Sequence, residues 1–414
     1  MGRAMIRGLL WLAVSGAVLA LFTRAAANGE SGRAEFYRER RNCGCDSLQR
    51  AVRRPLYLIK HRDRYGYIDS TGFTVVQPQF ELARDYYDGR AWFRTNVRVR
   101  RIRKGNELEA VALEPRWGML DEGGNIILRP LFVEVEDFFG GRAQVYEDSV
   151  WGFVDLYGRE YVEPTYEAVA YYCNGYAAFA RPALGYDRLA WGYLDQRGGV
   201  ALAPFYFALE PFADLRARVL VFDRWGYLAP EGRIVIEPVF DEAGDFYEGR
   251  ARVKRYGWWA FIDRAGQLVT RYEYDEVADF SDGRARVFKD GRWRLIDTTG
   301  RTVVQFVLER PLDFSEGRAP VVLDNRWGYI DRHGGTVIPT QYGEVRPFSE
   351  ARAWVWGYGA WRLVDPDGQT VLPERFDQVE DFYQGLARVW DYHQWGTDEW
   401  GYVNRSGRVV WYPQ

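Results

Sequence analysis

Side chains able to do chemistry are plentiful in this 414-residue chain, but they are scattered. The three histidines, His61, His333 and His393, stand singly beside turn residues, with no H-E-x-x-H, no G-x-S-x-G and no phosphate-binding loop around them. Aspartates recur at one position, three residues ahead of a glycine, where a carboxylate caps a tight turn by accepting backbone N–H groups. Asp365-Pro366-Asp367-Gly368 is the one local acidic cluster worth a metal test, and no pair of carboxylates is placed for acid and base work. The chain therefore reads as non-catalytic, with no catalytic residue, no cofactor and no metal site to nominate.

Binding has more to work with. Arg98, Arg100, Arg101, Arg103 and Lys104 precede a Gly105-Asn106 turn and suit an acidic partner or an anionic envelope polymer. The plain alternative is a long hairpin whose arginines are solvated or paired with Glu107 and Glu109. Near the C-terminus, Trp390, Tyr392, His393 and Trp395 stand beside Asp398 and Glu399, a set able to stack on sugar rings or grip a peptide, or simply to cover the end of the fold. Tyr186 is a further candidate.

What positions these residues is a repeat. An aromatic anchor falls at Tyr65, Trp117, Trp151, Trp191, Trp225, Trp259, Trp293, Trp327, Trp361 and Trp400, and every step from Trp191 to Trp361 is 34 residues. Each unit has three short apolar runs separated by turn residues, the pattern of an antiparallel meander. After the anchor run comes D-x-x-G, with a glycine in all ten units, from Gly72 to Gly407, as a positive φ requires. A proline, as in Pro238 or Pro339, is expected to end the third strand. An alanine, from Ala91 to Ala387, opens nine units and marks close approach between neighbours. In Trp327-Gly328-Tyr329-Ile330, Trp327 and Tyr329 share one strand face and Ile330 the other, so both faces need cover. The anchor indoles are expected to lie between stacked units.

The three steps longer than 34 place their extra residues ahead of Trp117, Trp191 and Trp400, all in the same hairpin of the unit. In a regular array these insertions project from one side, which makes that side the candidate binding face.

These residues resemble the WG (KWG) repeat family. The likeness rests on Trp-Gly-Tyr-Ile-Asp at 327–331, Trp-Gly-Tyr-Leu-Asp at 191–195, the D-x-x-G that follows, the V-I-x-P run and Phe314 to Ala319, and it spans 55–413. Tyr65 departs from the anchor, and Ala260, Arg294 and Arg362 replace the glycine after it. The resemblance implies an all-β repeat array acting as a binding or scaffolding module, and it brings no catalytic residues. An open, twisted superhelical stack of ten three-stranded units is the favoured arrangement, because 34 residues fall short of a four-stranded propeller blade. One or two propeller-like rings are the alternative, with a fourth short strand hidden in segments such as Tyr274 to Phe280.

Composition sets the compartment and partners. The formal charge of −3, with Arg3, Arg7 and Arg24 in a leading segment that holds no acids, leaves a mildly acidic body that argues against nucleic acid. Arg3 and Arg7, the apolar run from Gly8 to Phe22 and Ala25-Ala26-Ala27 read as a signal peptide over 1–27, followed by a linker over 28–54 and the array over 55–414. The expected place is secreted or periplasmic, with membrane contact only if the first segment stays uncleaved. Cys43 or Cys45 can pair with Cys173 there, leaving an odd thiol, although three cysteines are too few for a disulfide scaffold. The leading reading is a bacterial envelope or secreted scaffold that binds a protein or a glycan. The alternatives are a membrane-anchored structural spacer and, third, an enzyme acting on cell-wall polymer.

Overall fold

The computed structural model describes residues 55–413 apart from 103–107, 184, 186–187, 309–311, 373–374 and 397–398. The expected signal peptide and linker lie outside the described residues. Every regular element described is a strand, and the strands form ten separate antiparallel sheets, one per sequence unit.

Sheet 5 shows the plan. Its strands Ala208–Ala213, Arg216–Val221, Arg224–Leu228 and Ile234–Phe240 pair in sequence order. They are called here the short, alanine, anchor and edge strands. The short strand is the fourth strand hidden in the connecting segment, and in sheets 2, 3, 4, 7, 9 and 10 it is only two residues long, as at Glu276–Val277. Sheet 1 has no short strand among the described residues, running Tyr57–His61, Arg64–Ile68 and Thr74–Phe80.

Two details of the anchor and edge strands explain the Trp-Gly pair. Trp225 opposes Phe240 while Tyr227 opposes Ile236, so two steps on the anchor strand face four on the edge strand and the excess forms a bulge around Pro238. The proline therefore does not end its strand, as expected from sequence. It sits inside the edge strand at a bulge, where no ladder donor is needed, and Pro78 and Pro339 do the same within Thr74–Phe80 and Thr336–Tyr342. The bulge presses on the anchor glycine: a Cβ at Gly226 would lie 2.6 Å from the Ile236 carbonyl oxygen, and one at Gly192 2.3 Å from that of Leu202. In sheets 6 and 9, where Ala260 and Arg362 replace this glycine, the edge strand is reduced to bridges such as Trp259↔Tyr274 and Trp361↔Phe376, whereas sheet 7, with Arg294 there, keeps the edge strand and the bulge, Trp293 opposing Leu308 and Leu295 opposing Val304.

Each sheet is apolar on both faces, as the alternation requires. Tyr227, Ile236 and Phe240 of sheet 5 pack on Phe246, Ala251, Val253 and Ile262 of sheet 6. The alanines are buried throughout, with Ala217 and Ala319 at 0% exposure, which allows the close approach. The anchor residues themselves lie less deep than expected. Trp117, Trp191 and Trp361 are buried, but Tyr65, Trp151, Trp225, Trp259, Trp293, Trp327 and Trp400 are only half-buried. The residue two positions on carries the interface: Tyr67, Tyr193, Tyr227 and Tyr329 are fully buried, as are Phe153 and Phe261. Strand alternation puts both on one face, but the anchor lies toward the hairpin tip, where an arginine covers it. Arg218, Arg252 and Arg286 stand 5.3, 5.5 and 5.7 Å from the rings of Trp225, Trp259 and Trp293.

Ten apolar layers separate the ten sheets. An open stack of ten sheets has nine. The tenth layer joins Tyr57, Ile59 and Ile68 of sheet 1 to Leu386 and Tyr402 of sheet 10, so the array closes into a propeller-like ring. The open stack is thus corrected to the alternative arrangement. The physical reason for the misreading is the length of the fourth strand: at two residues in six of the sheets it fits within a period near 34 residues, so the period does not exclude a four-stranded sheet.

Candidate binding face

The ring has two unlike faces. On one lie the turns between short and alanine strands together with the D-x-x-G turns, and this face is occupied by the protein's own bonds. Successive short-to-alanine turns are linked carboxylate to amide: Gly249 N–H donates to Asp214 Oδ2 at 2.6 Å, Gly283 to Glu248 at 2.8 Å and Gly317 to Asp282 at 2.6 Å. Direct bonding between successive copies places this belt on the inner circumference. Outside it, the arginine after each turn reaches the D-x-x-G turn of the next sheet. Arg250 Nε donates to Thr298 O and Arg284 Nε to Arg332 O, both at 2.8 Å.

The repeated aspartates are consumed as turn caps. Asp297 accepts from the Thr299 hydroxyl and from the amides of Thr299 and Arg301, and Asp331 from those of Gly335 and His333. These bonds, the Thr299 hydroxyl first for Asp297 and the Gly335 amide first for Asp331, hold both carboxyls below their ordinary range. Asp365 makes the same bonds to the amides of Asp367 and Gln369. A hollow on this face is lined by Arg142, Asp155, Tyr157, Arg159, Glu160 and Tyr161. Its own groups pair within it, with Arg142 stacked 4.0 Å over the Tyr161 ring and Arg159 2.7 Å from Asp155.

The opposite face carries the hairpins between alanine and anchor strands, including all three insertions. The first insertion extends the hairpin of sheet 2 into strands Ala91–Ile102 and Leu108–Leu120, with Arg98 opposite Leu113, Arg100 opposite Val111 and Arg101 opposite Ala110. Arg103, Lys104 and Tyr186 lie outside the described residues. In the last insertion the aromatics mostly cover the fold. Trp395 packs 6.2 Å from Phe376 and stacks at 6.5 Å on Tyr412, and Trp390 lies 6.2 Å from Trp400. Tyr392 is 39% exposed and its hydroxyl donates to Gln378 Oε1 at 2.5 Å, while the His393 amide donates to Asp391. The candidate residues are therefore distributed around the tip face rather than gathered in one site.

Three residues that sequence reasoning missed stand out on the same face. Phe222, Tyr256 and Tyr358 occupy one turn position, three residues before the anchor, at φ of 55°, 58° and 56°. Equivalent turns hold Asp148, Asp290 or Asp324. A bulky residue in the left-handed region is strained, where aspartate is tolerated. Yet Phe222 is 95%, Tyr256 73% and Tyr358 87% exposed. Tyr256 is flanked by Arg255 at 4.8 Å, by Tyr272 at 6.4 Å and by the exposed Trp258, and Arg362 stands 5.0 Å from the Tyr358 ring. The signal available in the sequence was an aromatic where sister turns carry aspartate.

A closed ring of ten antiparallel sheets with a self-bonded face and a face of hairpin tips defines a propeller-like repeat protein. The pattern described as WG containing repeat matches residues 65–96, 117–150, 225–257, 259–293, 293–327, 327–355 and 361–389, more than half of the chain, and the protein belongs to that family. No curated protein matches it. Among solved structures, a eukaryotic initiation factor is similar at 11% identity and a TM-score of 0.47, over 87% of this chain and 96% of that one. Kluyvelomyces marxianus Hsv2 is similar at 12% identity and a TM-score of 0.32, over 64% and 94%. The tricorn protease is similar at 13% and 0.23, over 86% and 44%. These likenesses are weak, and nothing about function follows from them.

Proposed function

We propose that the protein is a non-catalytic scaffold of the secreted space or cell envelope, and that its tip face holds a protein or glycan partner. The observation that carries this reading is the trio Phe222, Tyr256 and Tyr358. Each is a large aromatic in a strained backbone conformation with most of its ring in solvent, and the support it has within the chain is confined to surface neighbours, Arg255 and Tyr272 for Tyr256 and Arg362 for Tyr358. Such rings supply contact area to a partner at little loss of side-chain freedom. Aspartates used as caps and the mild negative charge support a role without catalysis and without nucleic acid.

Replacing all three with asparagine, which accepts the turn conformation, tests the reading. Thermal stability should hold or rise slightly, while retention on envelope proteins or an envelope-glycan array should fall at least about tenfold, the loss of roughly 1.4 kcal/mol of contact. Equal retention by the native and triple-variant proteins would remove the tip face from consideration.

A further inference from the structure

Sheet 6 departs from the repeat at Tyr256, Trp258 and Tyr272, and the fold gathers these residues at its tip. Tyr256 holds the hairpin turn where sister units carry Asp290 or Asp324. Trp258 stands one residue ahead of the anchor, where sheets 1, 2, 5, 7 and 8 carry Arg64, Arg116, Arg224, Arg292 and Arg326. Tyr272 takes the place that Pro238 fills in sheet 5 and Pro204 in sheet 4.

Trp258 opposes Arg255 across the hairpin, so the two share a face. The Arg255 guanidinium lies 4.8 Å from the Tyr256 ring, and Tyr272 meets the same ring edge-on at 6.4 Å and 80°. Tyr256 and Trp258 are exposed and Tyr272 is half-buried, so aromatic rings and a guanidinium together form an open ridge. The acids beside it are already engaged. Asp241 accepts the Tyr256 amide and faces Arg224, Glu242 holds Lys254 at 2.7 Å, and Glu273, next to Tyr272, holds Lys289 at 2.7 Å. Among the described residues Arg255 and the exposed Arg271 meet no carboxylate, so the ridge is left positive.

We infer that this ridge binds an anionic polysaccharide, with sugar rings laid on Tyr256 and Trp258 and a sugar carboxylate received by Arg255. The inference rests on the tip-face reading above and narrows its partner to a glycan. The C–H face of a pyranose is apolar and weakly positive, and it packs against the negative face of an aromatic ring. The guanidinium fork takes a carboxylate through two parallel bonds. Phe222, on the neighbouring tip of sheet 5, offers a further exposed ring to a polymer running along the face. An acidic peptide is less well served, because adding a strand needs an open backbone edge. The outer side of the anchor strand is already bonded: Trp259 N–H donates to Tyr274 O at 2.9 Å, Phe261 N–H to Thr270 Oγ1 at 2.9 Å, and Phe261 O accepts from Val269 N–H at 2.8 Å.

The test uses the full chain and three soluble polymers: alginate, built of uronic acids, neutral dextran, and polyglutamate. Calorimetry at low salt should show alginate bound at least about tenfold more tightly than either of the others. Its affinity should fall steeply toward about 1 M salt, where the screening length shrinks to about 3 Å. Trp258→Arg restores the residue of the neighbouring sheets and adds positive charge, yet it should weaken alginate at least about tenfold, as should Arg255→Gln. Tyr256→Asn, in which asparagine accepts the turn conformation, should do the same and serves if either of those fails to fold. Leu215→Asn, at an exposed turn on the opposite face, should leave alginate binding unchanged. Absent alginate binding, equal binding of dextran, tighter binding of polyglutamate, or native affinity in the folded ridge variants would each overturn the inference. If the triple asparagine variant still loses its retention on envelope proteins in that case, the tip-face reading stands without this ligand.

Discussion

The interface between sheets 5 and 6 and the seam between sheets 10 and 1 use the same packing with different support. Inside the array, Tyr227 Oη donates to Gly244 O at 2.8 Å, Arg218 meets Asp245 at 2.6 Å, and the chain itself passes from Phe240 to Glu242. At the seam, Tyr402 Oη and Trp400 Nε1 donate to the Leu58 carbonyl at 2.7 and 3.1 Å. Among the described residues Arg388 meets no acid of sheet 1, and it reaches past that sheet to Asp85 of sheet 2 at 2.6 Å. No strand crosses the seam, since sheets 1 and 10 are separate. Side chains alone can thus close a repeat on itself, and the seam is where opening starts.

Tyrosine truncation separates the two most sharply. Tyr402→Ala and Tyr227→Ala each remove a buried phenol and should cost about 3–5 kcal/mol. Only the seam variant should open the ring, because those two sheets are joined by side chains and not by a connecting loop between consecutive sheets, and small-angle scattering should then show a larger radius of gyration. An unchanged radius for Tyr402→Ala would sink the idea that the seam rests on these rings.

A smaller effect is expected from the ion pairs. Burial alone would lower the Arg218 and Arg388 guanidinium pKa values, but Asp245 with Glu210, and Asp85 with Tyr402, outweigh it and raise both. Asp245→Asn and Asp85→Asn should each destabilise by about 2–4 kcal/mol, since each leaves a buried cation with weaker partners. Denaturant midpoints measure this. If Asp85→Asn is silent, the bond across sheet 1 is ornamental.

The smallest difference is in acid. Asp297 and Asp331 have lowered folded pKa values, so the stability they add is complete above the ordinary carboxylate range and is lost as pH falls through those values, below about pH 4. The equivalent turn of sheet 10 is capped by Asn404, which does not titrate. Amide exchange, corrected for its intrinsic rate, should therefore loosen Gly300 and Gly334 in acid before Gly407.

Sequence alone determined the strand-rich repeat, its ten units, the D-x-x-G caps and the tight alanine contacts, because each follows from local rules: a two-residue strand period, positive φ at a turn, a side chain no larger than a methyl. The side of the insertions was legible for the same reason. The depth of the anchor tryptophans, the bulge that presses on the anchor glycine and the strained aromatic tips were not, since each depends on which strand lies beside another. Ring closure was decided only by the tertiary structure. It depends on small wedge angles summed over ten sheets and on Tyr57, Tyr402 and Trp400 meeting across more than 340 residues of chain, as the bond from Trp400 to Leu58 does. No single unit encodes that sum.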